Sequence, residues 1–239
     1  KRYAVSTVQT YIKSIKTYFQ YLAETKQVTR NPAQVLRPPK LQNGFDQDPR
    51  WLTRRERSRL INWVTNPAQE QANPWRYART KAIIYLGLHA GLRVSEMSSL
   101  TVEDLNFPMS SLFIREGKGN KSRWLPMNAD LRKALQEWME IRGEQDHPYV
   151  LVSQKGGKLS SYAIWSLCGT IAEKLRLEHF TPHVLRHTFG HDLIEAGKRL
   201  EDVADLMGHS NLNFTRVYVR SRKADKRLVV EALSGEQFE

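Results

Sequence analysis

Residues 181–218 include His183, Arg186, His187, His209 and Tyr218, side chains of types that act on a phosphodiester. Histidine is a general base or acid near neutral pH. Arginine presents a planar fork matched to phosphate oxygens. A tyrosine hydroxyl, with a pKa of about 10, becomes a nucleophile only with help from a base or cation. His183 and Arg186 are three residues apart, so on a helix they share a face. Thr181-Pro182 just before them is a helix start, N-cap then proline at N1. The pair then lies in the first turn, where free N–H groups and the helix dipole favour an anion. An exposed His/Arg pair on a basic helix is the plainer alternative.

Two further groups lie upstream. Arg93, in GLRVSE, stands two residues after a helix-ending glycine in an apolar region, where an arginine needs a carboxylate or a bound anion. Glu96 is the candidate structural partner. Lys118 and Lys121 sit in GKGNKSR, whose glycines let the backbone approach a ligand closely. His183, His187 and His191 recur at four-residue steps, which raises a metal reading. A zinc-hydrolase helix also needs a glutamate beside the first histidine. Val184 and Thr188 stand there instead, so His187 reads as supporting structure and His191 as packing or surface. Tyr218 lies among Phe214, Val217 and Val219, the usual setting of a core tyrosine.

These groups need a scaffold, and the patterning predicts one that is mainly α with a small antiparallel sheet. Ser6 with Gln9 reads as a capping box opening a helix. Its apolar stripe is Val8, Tyr11, Ile12, Ile15, Tyr18, Phe19 and Leu22, which must pack on something. Residues 38–50 lack periodicity and are rich in Pro, Asn, Asp and Gln, as a linker would be. Thr53 with Glu56 caps the next helix. Residues 75–90 predict a buried helix ended by Gly91 in the left-handed position, with a short helix from Ser95-Glu96. Strands are expected at 111–115 and 123–127 around a tip at 117–121, with short ones near 101–105 and 149–153. Helices follow at 128–142, 160–175 and 181–196, then one through Leu200, Val203, Leu206 and Met207. His209 falls in the turn after it. A last helix carries Leu228, Val229 and Leu233.

The 239 residues carry a net charge of +12, and residues 1–45 hold eight Lys/Arg against the single acid Glu24. Such a basic segment suggests a polyanionic partner. One cysteine, Cys168, excludes an intramolecular disulfide and a cysteine-based zinc cage. No apolar run reaches the roughly eighteen residues of a membrane span, so a cytoplasmic location without membrane contact is expected.

In order, GLRVSE, GKGNKSR, HVLRH, MGHS and VY resemble the tyrosine recombinases, the phage integrase and Xer-type site-specific enzymes. Their signature is Arg, Lys, His-x-x-Arg, His and Tyr, matched by Arg93, Lys118, His183 with Arg186, His209 and Tyr218. The resemblance spans roughly residues 6–234, and NPAQVLRPPK is similar to the end of the family's core-binding domain. It implies a partial helical DNA-binding domain over 1–40, a linker over 41–50 and a catalytic domain over 51–239. Met207 replaces the family's usual leucine, a volume-conserving change. About two helices that normally precede the one at Ser6 are not in this chain.

What the resemblance implies is cleavage of one DNA strand by Tyr218, giving a 3′-phosphotyrosyl bond and a free 5′-hydroxyl, later reversed by a partner strand. Arg93 and Arg186 would grip the nonbridging oxygens and His209 would donate to them. His183 would assist the proton of Tyr218, and Lys118 would protonate the leaving oxygen. No cofactor, metal or ATP is implied, and the sequence offers no P-loop. The partners implied are double-stranded recombination sites and a homo-tetramer. Residues 222–238 dock there on a neighbouring subunit, or alternatively pack in cis. A silent DNA-binding protein, a type IB topoisomerase or telomere resolvase, and a metallohydrolase are the competing functions.

Overall fold

The structure is a computed structural model that describes residues 3, 5–39, 49–115, 122–209, 212, 214–216 and 218. It divides into two compact units, Lys1–Asp48 and Pro49–Glu239. Most of the expected linker, the tip bearing Lys118 and Lys121, and the expected last helix lie outside the described residues.

In the first unit, α1 runs over Val5–Glu24. Ser6 therefore stands inside the helix and is not its cap, and Gln9 donates its side-chain N–H to the Pro39 carbonyl instead. Asn31 caps a 3-10 turn, Pro32–Val35, accepting from the Ala33 N–H at 2.9 Å. Its amide donates to the Lys16 carbonyl at 3.1 Å, tying the turn to α1. The predicted stripe is only partly covered: Val8, Ile12, Phe19 and Leu22 are half-buried, while Tyr11, Ile15 and Tyr18 are exposed.

The second unit is built on α4, Pro74–Ala90, whose long run from Ala82 to Leu88 is buried. A helix apolar all round belongs in a core. It is flanked by α2 (Arg54–Val64), α3 (Pro67–Ala72), α6 (Ala129–Arg142) and α8 (Pro182–Glu195). The Thr53–Glu56 capping box forms as expected, and Asn128 caps α6. The α3 helix was not expected from the pattern. At Gly87 a Cβ would stand 2.7 Å from that of Leu185, so glycine sets the close approach of α4 and α8.

Gly91 ends α4 with φ +61°, and α5 follows over Val94–Ser99. The sheet is β1 (Leu105–Asn106), β2 (Ser111–Ile114) and β3 (Arg123–Pro126), antiparallel in that order. The strand expected near 101–105 starts late, because residues Val102–Asp104 form a 3-10 turn with Thr101 N–H bonded to the Asp104 carboxylate. Residues 149–153 form no strand. Tyr149 and Val152 make only isolated bridges to Thr101 and Lys158. Next come α7 (Ser161–Leu175), which buries Cys168, then α8 and α9 (Leu200–Met207). Among the described residues no helix is long and apolar enough to cross a membrane.

Candidate active site

The α9 helix ends in a Schellman turn. Gly208 takes φ +61°, its N–H bonds to the Asp205 carbonyl, and the His209 N–H reaches back to Ala204. That turn satisfies the carbonyls of residues 204 and 205. The next three, which a helix C-terminus leaves open, are each taken by a different arginine. Arg123 Nε donates to Leu206 O at 3.0 Å, Arg186 Nη2 to Met207 O at 2.5 Å, and Arg93 Nη2 to Gly208 O at 2.9 Å. Cations at this negative dipole end are favoured.

The same three guanidiniums meet at Glu96. Arg93 Nη1 lies 2.8 Å from Oε1, Arg123 grips both oxygens at 3.1 Å, and Arg186 Nη1 lies 3.9 Å from Oε2. Glu96 also accepts the Arg93 backbone N–H at 2.8 Å, closing the N-terminus of α5. Burial would raise this carboxyl, but the Arg123 hydrogen bonds and charge, with Arg93 and Arg186, hold it below its ordinary value. Among the described residues, one carboxylate thus pairs with three arginines.

Arg186 sits on α8, only 4% exposed, with Nη1 donating to Gly91 O at 2.6 Å. Burial, with Arg93 beside it, lowers its pKa to about 10, still charged at neutral pH. His183, one turn earlier, is exposed at the mouth, and partial desolvation with Arg186 and Arg93 lowers its pKa. The His209 Nδ1 pairs with the buried Thr215 Oγ1 at 2.8 Å. With the hydroxyl donating, the neutral ring keeps its proton on Nε2 and can donate it. Burial, then Arg186 and Arg93, push His209 down to about 4.

Tyr218 belongs to a small apolar cluster with Phe189, Ile194, Val203 and Met207, and is 1% exposed. Its ring covers Gly190, where a Cβ would fall 2.7 Å from Cε2. Its Oη hydrogen-bonds His187 Nδ1 at 2.7 Å. His187, read from sequence as support, thus holds the tyrosine hydroxyl directly, in the place expected for His183. Burial raises Tyr218 to about 12 against the pull of Arg186. Burial, with His183 and Arg186, lowers His187 to about 4. His191 stacks on Trp51 at 4.5 Å between ring centroids. Among the described residues, no group of three His, Cys, Asp or Glu is placed to hold a metal.

The structure therefore brings together Arg93, Arg186 and His209, with His183 and Tyr218 on either side along α8. Lys118 lies outside the described residues. Sequence reasoning missed Arg123 and Thr215. Arg123 closes the GKGNKSR stretch, whose lysines alone drew notice, and nothing local marked Thr215.

Residues 50–225 match the phage integrase family. The chain belongs to that family. It is a tyrosine recombinase, an enzyme of site-specific recombination that transfers DNA strands. It is 29% identical to tyrosine recombinase XerC of Bacillus subtilis over 227 residues, covering 91% of this chain and 71% of the relative. It is 30% identical to tyrosine recombinase XerA of Pyrococcus horikoshii over 232 residues, covering 96% and 74%. Its fold is similar to the crystal structure of XerH bound to a palindromic difH substrate, with TM-score 0.77 at 21% identity, covering 96% of this chain and 67% of that one. It is also similar to the XerA recombinase structure, with TM-score 0.63 at 24% identity, covering 95% and 84%. At these identities the structural likeness speaks to the recombinase fold.

Proposed function

We propose that this recombinase cuts and rejoins DNA through a 3′-phosphotyrosyl bond to Tyr218, with Arg93, Lys118, His183, Arg186 and His209 as the other groups at the phosphate. The observation that carries the reading is the convergence of Arg93 and Arg186 on the α9 turn that ends in His209. Each arginine spends part of its N–H set on protein acceptors, which fixes the plane of its fork before any ligand arrives. Preorganised donors of this kind stabilise charge that develops in a transition state.

Tyr218 Oη attacks the phosphorus, the 5′-oxygen leaves, and a proton passes to that oxygen from Lys118. The energy of the broken bond is kept in the phosphotyrosine, so a 5′-hydroxyl of a partner strand reverses the step. Tyr218 must first leave the apolar cluster, because a phenol with a pKa of about 12 does not ionise there at neutral pH. His183, exposed at the mouth and neutral, then stands available to take or share its proton.

The basic first unit fits a DNA-gripping part: residues 1–40 as the end of a core-binding domain, 41–50 as a linker and 51–239 as the catalytic domain. The substrates are double-stranded recombination sites, and XerH is seen on such DNA. Assembly is a homo-tetramer, with residues 222–238 docking on a neighbouring subunit, and the outcome is integration, excision or resolution of DNA elements.

A leaving-group test addresses the roles. Lys118→Ala and Arg93→Ala should both lose cleavage of a nicked substrate. A 5′-bridging phosphorothioate, whose sulfur leaves without a proton, should restore Lys118→Ala and not Arg93→Ala. Unchanged cleavage by either variant on ordinary DNA would remove that residue from the reading.

A further inference from the structure

We propose that Arg123 is a positioning residue for strand cleavage, clamping Glu96 and the α9 C-terminal turn so that Arg93, Arg186 and His209 face one phosphate. This rests on the site reading above and adds a residue outside the six already given roles.

Three observations carry it. First, the Arg123 side chain is 9% exposed and joined through both terminal nitrogens to both oxygens of Glu96 at 3.1 Å. It is the most evenly engaged of the three arginines around that carboxylate. Second, its Nε donates to Leu206 O at 3.0 Å, so one planar group spans α5 and α9. Third, the fit is tight: a Cβ on Gly208 would stand 2.7 Å from Nη1, so the backbone just before His209 lies directly on this guanidinium. A planar fork can serve three directions at once, and an ammonium cannot reproduce that geometry.

The arrangement gives Arg123 a task distinct from that of Arg93 and Arg186. Each of its three nitrogens donates to a protein acceptor, Nε to Leu206 O and the two terminal nitrogens to Glu96. Its effect passes through Glu96, which fixes the Arg93 backbone and guanidinium, and through the turn that presents His209. Arg123 also opens β3, paired with Ile114 on β2, and so stands at the foot of the connection whose sequence contains Lys118. One residue thereby links the strand pair to the arginine cluster. Arg123 further contributes to the low proton affinity of His209, behind burial, Arg186, Arg93 and His187.

The test uses the full chain with Arg123→Lys and Arg123→Gln beside the parent and Tyr218→Phe. Each is checked for folding by circular dichroism, for binding to recombination-site DNA, and for single-turnover formation of a covalent adduct. Arg123→Lys should fold and bind DNA, yet form adduct about 100-fold more slowly, the scale of a small misplacement of catalytic groups. The His209 ring, followed by NMR against pH, should titrate higher in Arg123→Gln than in the parent. A folded variant that forms adduct as fast as the parent overturns the proposal. So does failure of both variants to fold, which would make Arg123 a stability element only. If the parent itself forms no adduct, or Tyr218→Phe forms as much, the underlying site reading fails instead, and the two failures are distinguishable.

Discussion

Tyr218 Oη lies 2.7 Å from His187 Nδ1, one turn of α8 beyond His183. The hydroxyl expected to attack DNA is thus held by a neutral imidazole inside an apolar cluster. Removing that partner should weaken the fold more than the chemistry of the arginines. His187→Ala is expected to lose about 1 kcal/mol for the hydrogen bond, read as a lower urea midpoint at unchanged m.

The seat of the tyrosine is set by a missing methyl group. A Cβ at Gly190 would meet Tyr218 Cε2 and Met207 Sδ, both at 2.7 Å. Gly190→Ala should expel the Tyr218 ring and destabilise the protein by about 1–3 kcal/mol, the usual range for overpacking. Nitration of Tyr218 by tetranitromethane should become faster. A protected Tyr218 in this variant would show that the seat can adapt.

Acid should unfold the protein through its histidines. His187 and His209 both have folded-state values near 4, against about 6.5 when unfolded. Between those values the unfolded chain binds more protons, so stability is lost as pH falls from about 6.5 toward 4. Each histidine contributes a slope of at most about 1.4 kcal/mol per pH unit. Glu96, held low in the fold, adds loss below its ordinary value. Urea titrations at several pH values should show the slope, and His209→Gln should flatten it. A stability that does not change across this window contradicts the burial of the neutral rings.

Arg186 should matter to the transition state. Arg186→Ala is expected to cost cleavage on the order of 3 kcal/mol, as loss of a preorganised charge donor does. It also leaves Gly91 O and Met207 O without this donor, so folding must be checked beside the rate. Near-normal single-turnover cleavage would remove Arg186 from the phosphate.

The features legible in the sequence were those whose physics is local. Thr53 with Glu56, Asn128, Ser160 and Thr181 signal helix starts because a cap bonds within three residues. Gly91 signals a stop because it adopts positive φ. Order along the chain brought Arg93, His183, Arg186, His209 and Tyr218 to attention. What stayed hidden depends on distance in sequence. Arg123 finds Glu96 across 27 residues and Leu206 across 83. His187 takes the Tyr218 hydroxyl across 31. Spacing on one helix cannot decide which of His183 and His187 faces a residue from elsewhere. The β1 strand was misplaced because Thr101 and Asp104 bond locally into a 3-10 turn, which an apolar pattern does not register.

The central claim is that Tyr218 is the nucleophile. The direct measurement traps the recombinase on a nicked suicide substrate, digests the adduct and locates the DNA-linked residue by mass spectrometry. The account predicts a single linked tyrosine, Tyr218, and no adduct from Tyr218→Phe, which should still bind the DNA. Linkage at any other residue, or an adduct that persists in Tyr218→Phe, would contradict it.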